Sequence, residues 1–240
     1  MCINESNQQG NTRFDYIDVL RGIAILGVVA VHTCQYGTFD MPKISLITLL
    51  GNGASGVQLF YLASAFTLFL SLKTRIGVEH QPIKYFFIRR FFRIAPMYYI
   101  AIIVYLVLDG FGPRYWLGDA KGISIANIVS NVLFLHGFNP YWITSLVPGG
   151  WSVAVEMMFY AILPLLFKNI KNINHALCLF FVSIVFKHFL AEILSNFDPT
   201  TSDRLWGNYL FLYLPSQLPV FVLEIILDLF ANYIKPEVQS

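Results

Sequence analysis

The chain has 240 residues, 56% of them hydrophobic, 16% aromatic and only 12% charged, where a soluble domain carries roughly 25% charge. With a mean hydropathy of +0.61, this composition excludes a soluble globular enzyme, a disordered chain, a collagen and a disulfide-rich secreted scaffold. The formal net charge of +2 points to no nucleic-acid partner, and Cys2, Cys34 and Cys178 form neither a CxxC pair nor a metal-ligand spacing.

A membrane-spanning helix needs about 20 mainly apolar residues. In chain order, a polar head at 1–16 precedes apolar runs at 18–37, 54–72, 95–110, 151–167, 175–194 and 209–230, and a polar tail follows at 231–240. A further run at 123–138 is short and dotted with Asn and Ser, and reads as a tilted span, an interfacial helix or a re-entrant segment. The runs do not alternate as barrel strands do. The expectation is an all-α, polytopic integral-membrane bundle over 17–230, with six to seven transmembrane segments.

The first run does not read as a cleaved signal peptide, because its leader holds one basic residue and no small-x-small site follows. With the N-terminus in the cytoplasm, the inner connections hold ten Lys and Arg residues and the outer ones four. That bias favours this orientation and a non-crossing 123–138.

Ionisable groups at bilayer depth cost about 2.5–3.5 kcal/mol on insertion scales and are functional candidates by default. Arg21 and His32 are eleven residues apart in the first run, which places them on one helical face about 16 Å apart along the axis. Asp18 stands at the right spacing to pair with Arg21. Arg21 reads as a boundary arginine or an anion anchor. His32 reads as a hydrogen-bonded core histidine or an acid/base group.

Next come Arg89, Arg90 and Arg93 in RRFFRIAP, with Pro96 expected to mark the entry to the third span. The stretch reads either as a positive-inside topology signal or as a fork for phosphates, which suits the planar guanidinium. In WSVAVEMMFY, Ser152, Glu156 and Tyr160 fall on an i, i+4, i+8 stripe behind Trp151. A carboxylate there can orient an imidazole and stabilise its protonated form. Glu224 and Asp228 lie one turn apart in the last run, a spacing at which like charges destabilise a helix.

These pieces together resemble membrane-bound acyltransferase family 3. RFDYIDVLRGIAILGVVAVH, with Arg21 and His32, resembles its opening, RRFFRIAPMYY its RxxR motif, and GGWSVAVEMMFYAILP its WSLxxExxFY motif. The resemblance implies an O-acyltransferase that carries an acyl group, typically acetyl, from acyl-CoA (acetyl-CoA) to a hydroxyl of a cell-surface carbohydrate, with no metal. The usual setting is a bacterial inner membrane. On this reading His32, Glu156 and Arg21 are the catalytic candidates. Arg90 and Arg93 hold the CoA phosphates, and Trp151, Ser152 and Tyr160 line the substrate.

Members of the family usually have more spans than are found here, so a C-terminal truncation is expected. Two other readings remain: a non-catalytic remnant, and a transporter component using intramembrane His, Glu and Arg.

Overall fold

The computed structural model describes residues 15–36, 56–113, 122–200 and 202–234, apart from the side chains at 15–16, 31–36, 65–66, 69–70 and 231–234. The expected polar head at 1–16 falls outside these residues except for 15–16, and of the expected tail at 231–240 residues 231–234 continue the last helix while 235–240 lie outside. The described chain is helical, as its continuous apolar runs require. The helices are α1 (Asp15–Tyr36), α2 (Gly56–Arg75), α3 (Pro82–Asp109), α4 (Ile125–Val132), α5 (Gly150–Asn169), α6 (Ile173–Ser195), α7 (Asp203–Leu212) and α8 (Leu214–Ile234). A single 3-10 turn, His136–Phe138, follows α4.

Local chemistry sets the ends of several of these helices. Pro82 starts α3, where a missing N–H costs nothing. At its far end Gly110 takes a φ of 67° and donates its N–H to Leu106 O at 3.0 Å. The Ser124 hydroxyl caps α4 by accepting from Asn127 N at 3.2 Å. Asn172 and Ser202 cap α6 and α7 in the same way. Gly149 precedes α5 with a φ of 74°, a left-handed conformation that only glycine takes at low cost.

The sequence reading of six to seven transmembrane segments is corrected here. Among the described residues, four helices are long and apolar enough to cross a membrane: Pro82–Asp109, Gly150–Asn169, Ile173–Ser195 and Asp203–Phe230. The run 123–138 yields only the eight-residue α4, about 12 Å long, against a hydrocarbon layer of about 30 Å. The runs 18–37 and 54–72 fall in part on residues outside the described set.

The third span is corrected too. Pro96 does not open it but lies inside α3, which starts fourteen residues earlier at Pro82. A proline there removes one intrahelical bond, and the turns on either side hold the helix together across the gap. The basic stretch therefore belongs to the spanning helix itself rather than to the loop before it.

Two compact units divide the chain at residue 64, within α2. In the first, the backbone of α1 approaches that of α2 so closely that a Cβ on Gly56 would stand 2.8 Å from Ala24 O. In the second, α6 and α8 form the most extensive helix pair, and α5 packs on both α3 and α8. The Phe159 and Phe221 rings stack at 4.0 Å between α5 and α8. A second cluster joins Ala95, Tyr98 and Ile102 of α3 to Ile123, Phe134 and Leu146 of the α4 region. Glu224 and Asp228 are both buried on α8.

Candidate active site

The WSVAVE stripe is built as its spacing predicts. α5 opens at Gly150, so Ser152, Glu156 and Tyr160 rise along one helix. The Tyr160 hydroxyl donates to Glu156 Oε1. Tyr160 is buried and Glu156 half-buried. The Ser152 hydroxyl is turned back to Gly149 O at 2.8 Å, so its hydrogen goes to the helix start. Trp151 is half-buried beside it.

The basic stretch of α3 meets this stripe through Phe86. The Phe86 ring stands edge-on to Tyr160, with centroids 6.0 Å apart and planes at 77°. Arg90, one turn along α3, holds its guanidinium carbon 5.8 Å from the Phe86 centroid, a cation–π distance. Both Arg90 and Arg93 lie within electrostatic reach of the Tyr160 hydroxyl. Arg89 is turned elsewhere, onto Glu79, with Nη1–Oε1 at 2.9 Å and Nη2–Oε2 at 3.2 Å. Arg75 Nη1 donates to the same carboxylate at 2.7 Å. The three arginines thus divide: Arg89 closes the α2–α3 turn, Arg90 lies over Phe86 beside the stripe, and Arg93 stands exposed one turn further along α3. Two guanidinium-bearing residues one turn apart on a helix could hold a phosphate by charge.

In the first unit, Arg21 Nη1 pairs with Asp18 Oδ1 at 3.3 Å, the expected pairing. Its Nη2 donates to Ala63 O of α2 at 3.3 Å. Helix α1 is continuous through both Arg21 and His32. The His32 side chain lies outside the described residues. Among those residues, no group of three His, Cys, Asp or Glu side chains is placed to hold a metal.

Sequence reasoning missed a buried polar network beside this stripe. The Tyr98 hydroxyl donates to Asn131 Oδ1 at 2.8 Å and lies 3.0 Å from His136 Nε2. His136 Nε2 also lies 3.0 Å from Gly150 O, at the start of α5. Asn127 and Ser145 continue the network. Burial holds the His136 imidazole below its ordinary range, with the Gly150 and Ser130 carbonyls pulling the other way. A signal was present: Asn127, Ser130 and Asn131 recur at i, i+3 and i+4 in an otherwise apolar run.

Residues 14–230 match the family described as "Acyltransferase domain". The chain belongs to membrane-bound acyltransferase family 3. It is 30% identical over 167 residues to the "Peptidoglycan O-acetyltransferase OatA" of Listeria monocytogenes, covering 65% of this chain and 25% of that protein. It is 24% identical over 193 residues to the "Regulator of hypoxia-inducible factor 1" of Caenorhabditis elegans, covering 71% of this chain and 37% of that protein. The match thus spans well under half the length of either relative. No solved structure matches the chain.

Proposed function

We propose that the chain is an integral-membrane O-acyltransferase that moves an acyl group, acetyl first among candidates, from acyl-CoA to a hydroxyl of a cell-surface carbohydrate. The observation that carries this is the meeting of α3 and α5. The Glu156–Tyr160 pair of one acyltransferase motif stands beside the Arg90–Arg93 pair of another, with Phe86 between them. Paired arginines next to a half-buried carboxylate would suit a donor with phosphates at one end and a reacting thioester at the other.

On this proposal Arg90 and Arg93 bind the CoA phosphates by charge-assisted hydrogen bonds. His32 takes the proton of the acceptor hydroxyl as general base. The hydroxyl oxygen bonds to the thioester carbonyl carbon, the carbon–sulfur bond breaks, and CoA leaves as the thiol once protonated. Glu156 is the second catalytic candidate, and Tyr160 holds it in place. Arg21 is anchored to α2 and steadies the inner end of α1. The proposed setting is a bacterial inner membrane with the N-terminus in the cytoplasm, as the Lys and Arg bias suggests.

The test is acyl transfer from radiolabelled acetyl-CoA in membranes expressing the 240-residue chain, with empty membranes and His32→Ala as controls. Label in lipid-linked or surface carbohydrate that vanishes with His32→Ala supports the proposal. No label above empty membranes, with insertion confirmed and a range of donors and acceptors tried, sinks it.

A further inference from the structure

The first turn of α5 is gripped by His136, from outside the motifs, and by Tyr98, near the end of RRFFRIAPMYY. His136 Nε2 faces Gly150 O and the Tyr98 hydroxyl, each at 3.0 Å. A carbonyl oxygen only accepts, so Nε2 carries the proton. Tyr98 then accepts from His136, which leaves its own hydrogen for Asn131 Oδ1 at 2.8 Å. Asn131 Nδ2 passes the chain on to Asn127 O at 3.0 Å and Asn127 Oδ1 at 2.9 Å. Ser145 Oγ donates to that same Oδ1 at 2.7 Å. The one Nε2 hydrogen is shared between Gly150 O and the Tyr98 oxygen, and the Ser145 hydroxyl between Asn127 Oδ1 and Trp142 O at 2.8 Å, so shared bonds tie the imidazole, phenol and amides together.

Space at Gly150 is as restricted as its hydrogen bonding. A Cβ there would stand 2.9 Å from the Tyr98 hydroxyl oxygen and 3.6 Å from Tyr98 Cε2. Tyr98 has little freedom to yield, being buried, bonded to Asn131 and stacked on His136 at 5.6 Å and 13°. Residue 150 must therefore be glycine while residue 98 is tyrosine. Glu156 lies six residues on, about 9 Å along the same helix, so a shift of the first turn carries through to it.

We propose that Tyr98 and His136 are positioning residues that lock the start of α5 and thereby set the depth and rotation of Trp151, Ser152 and Glu156 for acyl transfer. The proposal rests on reading α5 as part of the transferase site. Both residues act through Gly150 and neither touches the substrate.

The test uses the full chain in lipid nanodiscs, with Gly150→Ala, Tyr98→Phe, the double variant, His136→Leu and His136→Gln. Two readouts are taken, amide hydrogen exchange across residues 151–157 and steady-state acyl transfer. Alanine is the better helix former, so Gly150→Ala alone slows exchange unless the Tyr98 contact dominates. The expected result is at least tenfold faster exchange in Gly150→Ala, partly reversed in the double variant because the hydroxyl that blocks the Cβ is gone, and a smaller acceleration in Tyr98→Phe alone, which loses the bonds to His136 and Asn131. His136→Leu speeds exchange in the same way, and His136→Gln, which keeps a neutral N–H donor, restores it. In transfer, Gly150→Ala and His136→Leu lower kcat about tenfold with the acyl-CoA KM within twofold, and His136→Gln keeps the wild-type pH profile.

Exchange that is unchanged in Gly150→Ala and His136→Leu overturns the proposal. So does a double variant no slower in exchange than Gly150→Ala, or a His136→Gln enzyme that loses one limb of its pH profile. If the wild type transfers no acyl group, the transferase reading fails by itself, and the exchange comparison still decides whether Tyr98 and His136 grip α5.

Discussion

Arg89 grips Glu79 with both terminal nitrogens, at 2.9 and 3.2 Å, across the turn between α2 and α3. One position later, Arg90 leans over Phe86 toward the Glu156–Tyr160 pair. Adjacent residues on a helix point about 100° apart, so a run of arginines must divide its duties. Arg89 serves the fold, and the proposed function assigns Arg90 and Arg93 to the site. Under the proposed function, Arg90→Gln and Arg93→Gln each raise the KM for acyl-CoA at least tenfold, as loss of a charge-assisted phosphate contact does. Arg89→Gln changes it less than threefold. Initial rates against acyl-CoA concentration in membranes check the difference. A KM change for Arg89→Gln equal to the others counts against the division.

The same pair sets a pH dependence. Hydrogen bonds from Arg75 first, then Arg89, hold the Glu79 carboxyl below its ordinary value. A lowered folded-state pKa gives stability that is present above the unfolded value and lost as pH falls through the folded one. Glu79→Gln therefore lowers the melting temperature at pH 7, and the difference from wild type closes below about pH 4. The effect is small because the pair lies at the surface, and it shrinks in high salt. Thermal melts of both proteins at pH 7 and pH 3.5 test it. A gap that widens toward acid contradicts the assignment.

Much of this was legible in the sequence. The spacing of Ser152, Glu156 and Tyr160 placed them on one stripe, and α5 starts at Gly150, one residue before the apolar run expected at 151–167. Asp18 pairs with Arg21 as the i, i+3 spacing allows. Other features were hidden for physical reasons. Pro96 looks like a helix start, but a proline well inside a long helix costs one bond that neighbouring turns absorb, so α3 begins at Pro82. The α4 region was ambiguous because Asn127, Ser130 and Asn131 break an apolar run without ending it. They face inward, and the inward bonds to Tyr98 and Ser145 join residues too far apart in sequence for any local pattern to reveal.

The Glu156–Tyr160 bond separates charge from geometry at the proposed centre. Glu156→Gln keeps a carbonyl oxygen to accept from the Tyr160 hydroxyl but removes the negative charge. If Glu156 stabilises an imidazolium, kcat falls about a hundredfold, equivalent to about 2.7 kcal/mol, with KM nearly unchanged. Tyr160→Phe keeps the charge and loses the orienting bond, with an expected loss of about tenfold. Steady-state transfer by the two variants checks the order. Equal losses from both would mean that geometry, not charge, is what Glu156 supplies.

Helix α4 is built inside out by the standards of a water-soluble protein. Its buried residues are Asn127, Ser130 and Asn131, while Ile125 is 81% exposed, Val129 50% and Leu133, just past its end, 58%. In water that outward apolar face would be costly. Against hydrocarbon it is favourable, and the inward polar groups are satisfied by Tyr98 and Ser145 as burial in lipid demands. The helix is too short to cross, so it is expected to sit in the membrane without spanning it. A nitroxide attached through Val129→Cys should be relaxed by oxygen, which partitions into lipid, and hardly at all by a water-soluble nickel chelate. The same label through Val78→Cys, on an 83% exposed residue of the α2–α3 turn, should show the reverse. Equal access of the nickel chelate at both sites would place α4 in water and remove the physical reason for its inverted pattern.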